Sequence, residues 1–203
     1  LQKAPFAGAF CYTGARGINK FQGGIIVQHK CKITVLKKEL YPDLQREYLA
    51  DPSSGPCRFY EEGQEFVFER YGGRDDFWTM GKGTQCSEAW DAISRYVYTA
   101  LQGGSIMRNW TNDERIMIAC CSDGTRPVIF KIERIDYKAL FIEGIACDVC
   151  REKIRRALTD VGGVTGVAYR ENFTEVILER EVPDAVLKKA VEDCGEYRVL
   201  KID

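Results

Sequence analysis

The chain has 203 residues, 45% hydrophobic and 29% charged, with a formal net charge of −1. That length holds one large domain or two small ones. The near-zero charge offers no electrostatic basis for binding nucleic acid or an anionic membrane surface. No run of about 18 apolar residues is present, so no spanning helix and no membrane insertion are expected. The first residues lack an apolar core of signal-peptide length, which points to a cytoplasmic protein. Nine cysteines accompany a single histidine, His29. Without a secretory signal, that many thiols suggest metal or redox chemistry more than a disulfide framework. With one histidine, a metal site must be built mainly from sulfur or carboxylate, which leaves almost no room for Cys₂His₂ fingers and His-triad enzymes.

Residues 1–26 show neither helix nor strand periodicity. Gly23-Gly24 must be encoded as GGNGGN, and the two Ile codons that follow give it the spacing of a ribosome-binding site before a GTG start at Val27. A non-native leader is one reading, and a disordered Gly-rich tail is the other. No function is placed on Cys11 in either case.

From Cys31 the pattern becomes regular. Lys32 to Leu36 is expected as a strand, and Pro42 as the opening of a short helix to Leu49. Residues 51–56 (DPSSGP) form a loop by composition. Gln64 to Glu69 is a second strand, followed by an irregular Gly-rich stretch. Ser87 is placed to cap a helix running to Leu101, with Trp90, Ile93, Val97 and Leu101 on one face. Arg115 to Cys121 and Pro127 to Glu133 flank the hairpin signal Ser122-Asp123-Gly124-Thr125-Arg126. Residues 27–136 therefore form one α+β domain.

A second domain, residues 137–203, follows almost without a linker. Its expected elements are a strand (Lys138 to Glu143), a helix (Cys147 to Leu158), two strands (Val164 to Arg170 and Glu175 to Arg180), a helix from Pro183, and a strand from Tyr197 to Ile202. The order is βαββαβ, which predicts a ferredoxin-like antiparallel sheet with both helices on one face. The fold class is thus α+β, an N-terminal α+β domain followed by a ferredoxin-like one.

Cys147 and Cys150 form a C-x-x-C where the first strand of this unit meets its first helix. A helix N-terminus favours negative charge and so favours thiolates there. Thiolates are soft ligands that select Cu(I), Zn(II) and similar ions. No histidine or further cysteine lies in the immediate loop. Two ligands suit Cu(I), whereas structural zinc usually takes four protein ligands.

Gly144, Cys147 and Cys150 stand in register with the G-M-x-C-x-x-C motif of the heavy-metal-associated domain, and residues 137–203 resemble that family. Gly163 and Val164-Thr165-Gly166-Val167 match its G-V-x-x-V segment, and Cys194-Gly195-Glu196-Tyr197 its late G-Y turn, with Glu196 inserted. The family comprises copper chaperones, domains of metal-transporting ATPases and mercury-binding proteins. The resemblance implies binding of Cu(I), or of Zn(II) or another soft ion, by Cys147 and Cys150 for trafficking, buffering or sensing. It also implies a metal-transporting ATPase or another acidic protein as partner, met by the basic helix face of Arg151, Lys153, Arg155 and Arg156; a solvated face is the plainer reading of those charges. Ile145 replaces the motif Met, an inward-packing position. Ala146 replaces a polar residue beside the metal. The family's late turn approaches the metal loop, so Cys194 and Tyr197 are accessory candidates, with a small buried residue as the plainer reading of Cys194. The alternative for the same pair is a thiol-disulfide redox protein.

Residues 30–135 resemble a family of small, functionally uncharacterised prokaryotic proteins, which brings no activity. The resemblance rests on segments such as Lys32-Ile33-Thr34-Val35, Gly55-Pro56-Cys57, Cys86-Ser87-Glu88-Ala89-Trp90 and Cys120-Cys121-Ser122-Asp123-Gly124. Cys57 and Cys86, at loop and helix-start positions, are a second candidate site. Adjacent strand residues point to opposite faces, so only one of Cys120 and Cys121 could join them. No nucleophile–base pair and no paired carboxylates argue for hydrolysis, and an enzyme is not expected.

Overall fold

A computed structural model describes residues 28–70 and 75–203. The 1–26 leader, the Val27 start and Cys11 lie outside these. The described chain is α+β, with one seven-stranded antiparallel sheet and helices packed against it.

β4 (Val128–Glu143) is the central strand. The sequence suggested two strands here, ending at Glu133 and restarting at Lys138. The structure has one, because the intervening charges have partners within the sheet. Arg134 binds Asp136 through two nitrogens (2.8 and 3.0 Å), and His29 Nδ1–H donates to the same carboxylate (2.8 Å). The 136/137 boundary therefore falls inside a continuous strand.

The first half of β4 pairs with β1 (Gln28–Lys38) and β3 (Ile116–Cys120), and β1 pairs onward with β2 (Glu65–Glu69). The second half pairs with β6 (Thr174–Leu178) and β7 (Arg198–Ile202), and β6 pairs onward with β5 (Val164–Tyr169). The strand order in this half is β7-β4-β6-β5, every neighbour antiparallel.

Helix α1 (Pro42–Tyr48) is short, and a helical turn, α2 (Met80–Gly83), interrupts the stretch expected to be irregular. α3 (Ser87–Leu101) buries Ala89, Ile93, Val97, Ala100 and Leu101 against Ile33, Phe68, Phe130 and Ile132. Its N-cap is Cys86 rather than Ser87. α4 (Asp148–Thr159) and α5 (Asp184–Asp193) bury Ile154, Leu158, Leu187 and Val191 with Leu140, Val176 and Leu178. Two hydrophobic clusters thus share one strand: Val128, Phe130 and Ile132 serve the first and Leu140 the second. Their even spacing keeps them on one face of β4.

On the other face the halves are tied by charge. Lys30 of β1 reaches Glu69 of β2 (2.9 Å) and Glu175 of β6 (2.5 Å), lying 4.5 Å from the centre of the Tyr137 ring of β4. Lys30 and Glu175 are both buried, so removing either would strand the other, at a cost of about 3–5 kcal/mol.

Candidate functional site

The cysteine pair sits where β4 gives way to α4. Gly144 follows the strand at φ +97°, a conformation that a side chain disfavours. A Cβ there would also lie 2.9 Å from the Glu196 carbonyl oxygen. Gly144 therefore lets the turn before β7 lie directly on the cysteine loop. Ile145 packs against the second hydrophobic cluster and anchors the loop from below.

Cys147 is the N-cap of α4, in extended backbone, and its Sγ accepts the Cys150 N–H at 3.4 Å. The two sulfurs are 3.0 Å apart. A disulfide would need about 2.0 Å. Two thiolates on a tetrahedral ion, at a metal–sulfur distance of about 2.3 Å, would stand about 3.8 Å apart. The observed spacing lies between these two separations, so side-chain movements reach either state. Cys147 is exposed and Cys150 half-buried, so an ion has open access.

The surroundings of Cys150 favour its thiolate form. Its hydrogen bond with Cys147, a backbone hydrogen bond from Ala146 and the Tyr197 hydroxyl together bring its pKa down to about 6. The Tyr197 hydroxyl, which keeps its proton to donate to Cys150, is pushed up to about 12. Tyr197 is thus brought against the pair. Cys194 is not: its thiol donates to the Val191 carbonyl (3.2 Å) at the end of α5, and it packs against the core. Partial burial pushes its pKa up. Among the described residues, no group of three or more His, Cys, Asp or Glu side chains is placed to hold a metal ion. A two-sulfur site is what the loop presents.

The basic residues of α4 are largely engaged within the helix. Arg155 and Arg156 both bind Glu152, and Arg151 binds Asp148. This matches a solvated face held by i,i+3 and i,i+4 pairs. One further contact fixes the helix start: the Tyr169 hydroxyl donates to the Arg151 carbonyl at 2.6 Å. That tyrosine carried no sequence signal, since it falls in an ordinary strand.

In the other half, Cys57 and Cys86 line a common cavity of about 390 Å³, and Cys121 lines it with them. Cys120 is exposed, and Cys31 is fully buried with its pKa pushed far up by burial. The only histidine is elsewhere. Its ring lies against Gly103 and its Nδ1 on Asp136, in a wider cavity of about 620 Å³ that contains no cysteine.

Compared with models of known protein families, with curated proteins and with solved structures, the chain matches none. No helix among the described residues is long and apolar enough to cross a membrane.

Proposed function

We propose that residues 137–203 are a ferredoxin-like, heavy-metal-associated module that binds Cu(I) between Cys147 and Cys150. The observation that carries this reading is the placement of two unbonded thiols 3.0 Å apart at the exposed first turn of α4. The element order β4-α4-β5-β6-α5-β7 and the strand order β7-β4-β6-β5 support the fold assignment. Soft sulfur donors select Cu(I), with Zn(II) as the competing ion, and two of them satisfy a near-linear ion without further protein ligands. The Tyr197 hydroxyl favours the Cys150 thiolate, in the way outer partners tune metal ligands. The ion is cargo for trafficking, buffering or sensing in the cytoplasm. A metal-transporting ATPase or another acidic protein is the partner chemistry that the exposed Lys153 and the neighbouring arginines would meet. No catalytic role is assigned to any residue.

The test is a competition titration of anaerobically reduced protein with Cu(I) and Zn(II) against a chelator. One equivalent of tight Cu(I), lost in Cys147→Ser/Cys150→Ser, is expected. Equal binding by both proteins would remove the site from this loop.

One observation favours a second reading. A thiolate formed near neutral pH beside a second thiol also suits disulfide exchange. That reading requires the bond to form and break reversibly without metal, and it predicts that Cu(I) gives no protection from oxidation.

A further inference from the structure

The first turn of α4 carries Cys150, follows directly on Cys147, and has little buried anchorage of its own. None of residues 146–153 is buried, and the first fully buried side chain of the helix is Ile154. Val149, the one branched apolar residue in this stretch, is 66% exposed. Helix ends held so lightly tend to fray. Two tyrosines reach the turn from other elements. Tyr197, from the turn before β7, favours the Cys150 thiolate. Tyr169, the last residue of β5, donates its hydroxyl hydrogen to the Arg151 carbonyl oxygen at 2.6 Å. The Arg151 amide in turn donates to the Cys147 carbonyl at 3.1 Å. Tyr197 therefore acts on a sulfur, whereas Tyr169 grips the backbone one residue beyond it.

Tyr169 is itself a fixed post. It stands opposite Thr174, a buried residue, in the β5–β6 ladder. The Arg170 N–H donates to the Phe173 carbonyl at 2.9 Å and closes the turn between the two strands. The Arg170 side chain binds the buried Glu175 at 2.9 Å, and Glu175 also holds Lys30 of β1. The Arg151 guanidinium lies 5.6 Å from the centre of the Tyr169 ring, a second contact between the post and the turn. If the hydroxyl bond is lost, the turn that carries the cysteines is the part free to move. Ligand exchange at a two-coordinate ion demands such movement. An incoming third donor gains access only as the angle between the two sulfurs closes from near-linear.

Resting on the metal-binding reading of this pair, we propose that Tyr169 is a positioning residue that governs how long Cys147 and Cys150 retain their ion, by clamping the first turn of α4 to the end of β5. In release, an acceptor ligand forms a bond to Cu(I) as the bond to one cysteine sulfur breaks. The freed thiolate takes a proton from solvent, and the copper remains Cu(I). With the clamp in place, the turn resists the change of angle that exchange demands. Without it, the turn yields and the ion leaves faster. Tyr169 acts through the backbone and is not a ligand.

The experiment uses Tyr169→Phe, which keeps the ring and removes only the hydroxyl. Amide hydrogen exchange is measured on metal-free protein. Transfer of Cu(I) to bathocuproine disulfonate is followed on loaded protein by the absorbance of the chelate. Exchange at Cys150, Arg151 and Glu152 should quicken about two- to tenfold, the range that loss of one hydrogen bond gives, with α5 and β1 unchanged. Cu(I) transfer should quicken by a similar factor. A rise spread evenly over α4, α5 and β1 would mark a merely structural role and overturn the proposal. Unchanged exchange at the first turn would overturn it too, as would faster exchange with unaltered Cu(I) transfer. The exchange measurement needs no metal, so the two readings fail separately. An unsubstituted chain that takes up no Cu(I) would overturn the metal-binding reading, and ion retention with it, even where the clamp is seen.

Discussion

The two halves of the sheet present sulfur in opposite ways. In the C-terminal half, two cysteines three residues apart stand where β4 gives way to α4, one exposed and one half-buried, their sulfurs 3.0 Å apart. In the N-terminal half, three cysteines from separate elements line a small-molecule-sized cavity beneath α3. The first arrangement is local: a strand end, an N-cap and one helical turn create it. The second exists only when α1's loop, α3 and the β3–β4 hairpin are all in place. The difference teaches that cysteine content alone does not define a site. What surrounds the sulfur decides what it can hold.

The contrast breaks most readily at the pair itself. Cys147→Ser/Cys150→Ser should lower Cu(I) affinity by well over a hundredfold, beyond the roughly 10–100-fold that outer partners of a ligand contribute. Chelator competition measures it, and a smaller loss would mean that the loop is not the primary site. Leu140→Ala, at the start of the C-terminal cluster, should cost about 2–5 kcal/mol in urea unfolding. Because β4 continues unbroken and Lys30 ties β1 to β6, far-UV circular dichroism and Trp90 fluorescence should report one shared transition. Two separated transitions would show that the shared strand does not couple the halves.

Gly144→Ala should cost about 1–3 kcal/mol, from its positive φ and from the contact a Cβ makes with the Glu196 carbonyl. It should also weaken Cu(I) binding by displacing Tyr197. A stable variant with unaltered metal affinity would show that the late turn is irrelevant to the site.

The mildest change is Tyr197→Phe. In metal-free protein, alkylation at the pair should rise with pH through a midpoint near 6, since the thiolate is the nucleophile and forms as the proton leaves. Losing the tyrosine hydroxyl removes one of the interactions that favour the thiolate, so the midpoint should move upward. Copper affinity should fall by about tenfold. An unmoved midpoint would remove Tyr197 from the account.

What the sequence made legible follows the same division. The C-x-x-C was readable because its geometry needs only neighbours: Gly144 to turn, Cys147 to cap, Cys150 one turn later. The helices were readable from apolar spacing, as with Ile93 and Val97 in α3. The continuity of β4 was hidden because Arg134 and Asp136 look like loop residues until His29 is seen to bind Asp136 from β1. Cys86 was passed over as the N-cap because Ser87 has the better capping side chain, while the buried Tyr60 hydroxyl that receives the Cys86 N–H comes from a distant loop. The α2 turn carries Gly81 and Lys82 at positive φ, a conformation that composition does not announce. The meeting of Cys57, Cys86 and Cys121 is a tertiary fact: alternation allowed one of the adjacent cysteines at the site, and only the hairpin's orientation decides that it is Cys121.

The most direct test of the central claim is the coordination shell of the bound ion. X-ray absorption at the copper edge, on protein loaded with one equivalent of Cu(I), should show two sulfur neighbours and no nitrogen shell. That spectrum should be lost in Cys147→Ser/Cys150→Ser. A shell of three sulfurs, or an unchanged spectrum in the double variant, would contradict a two-cysteine site on this loop.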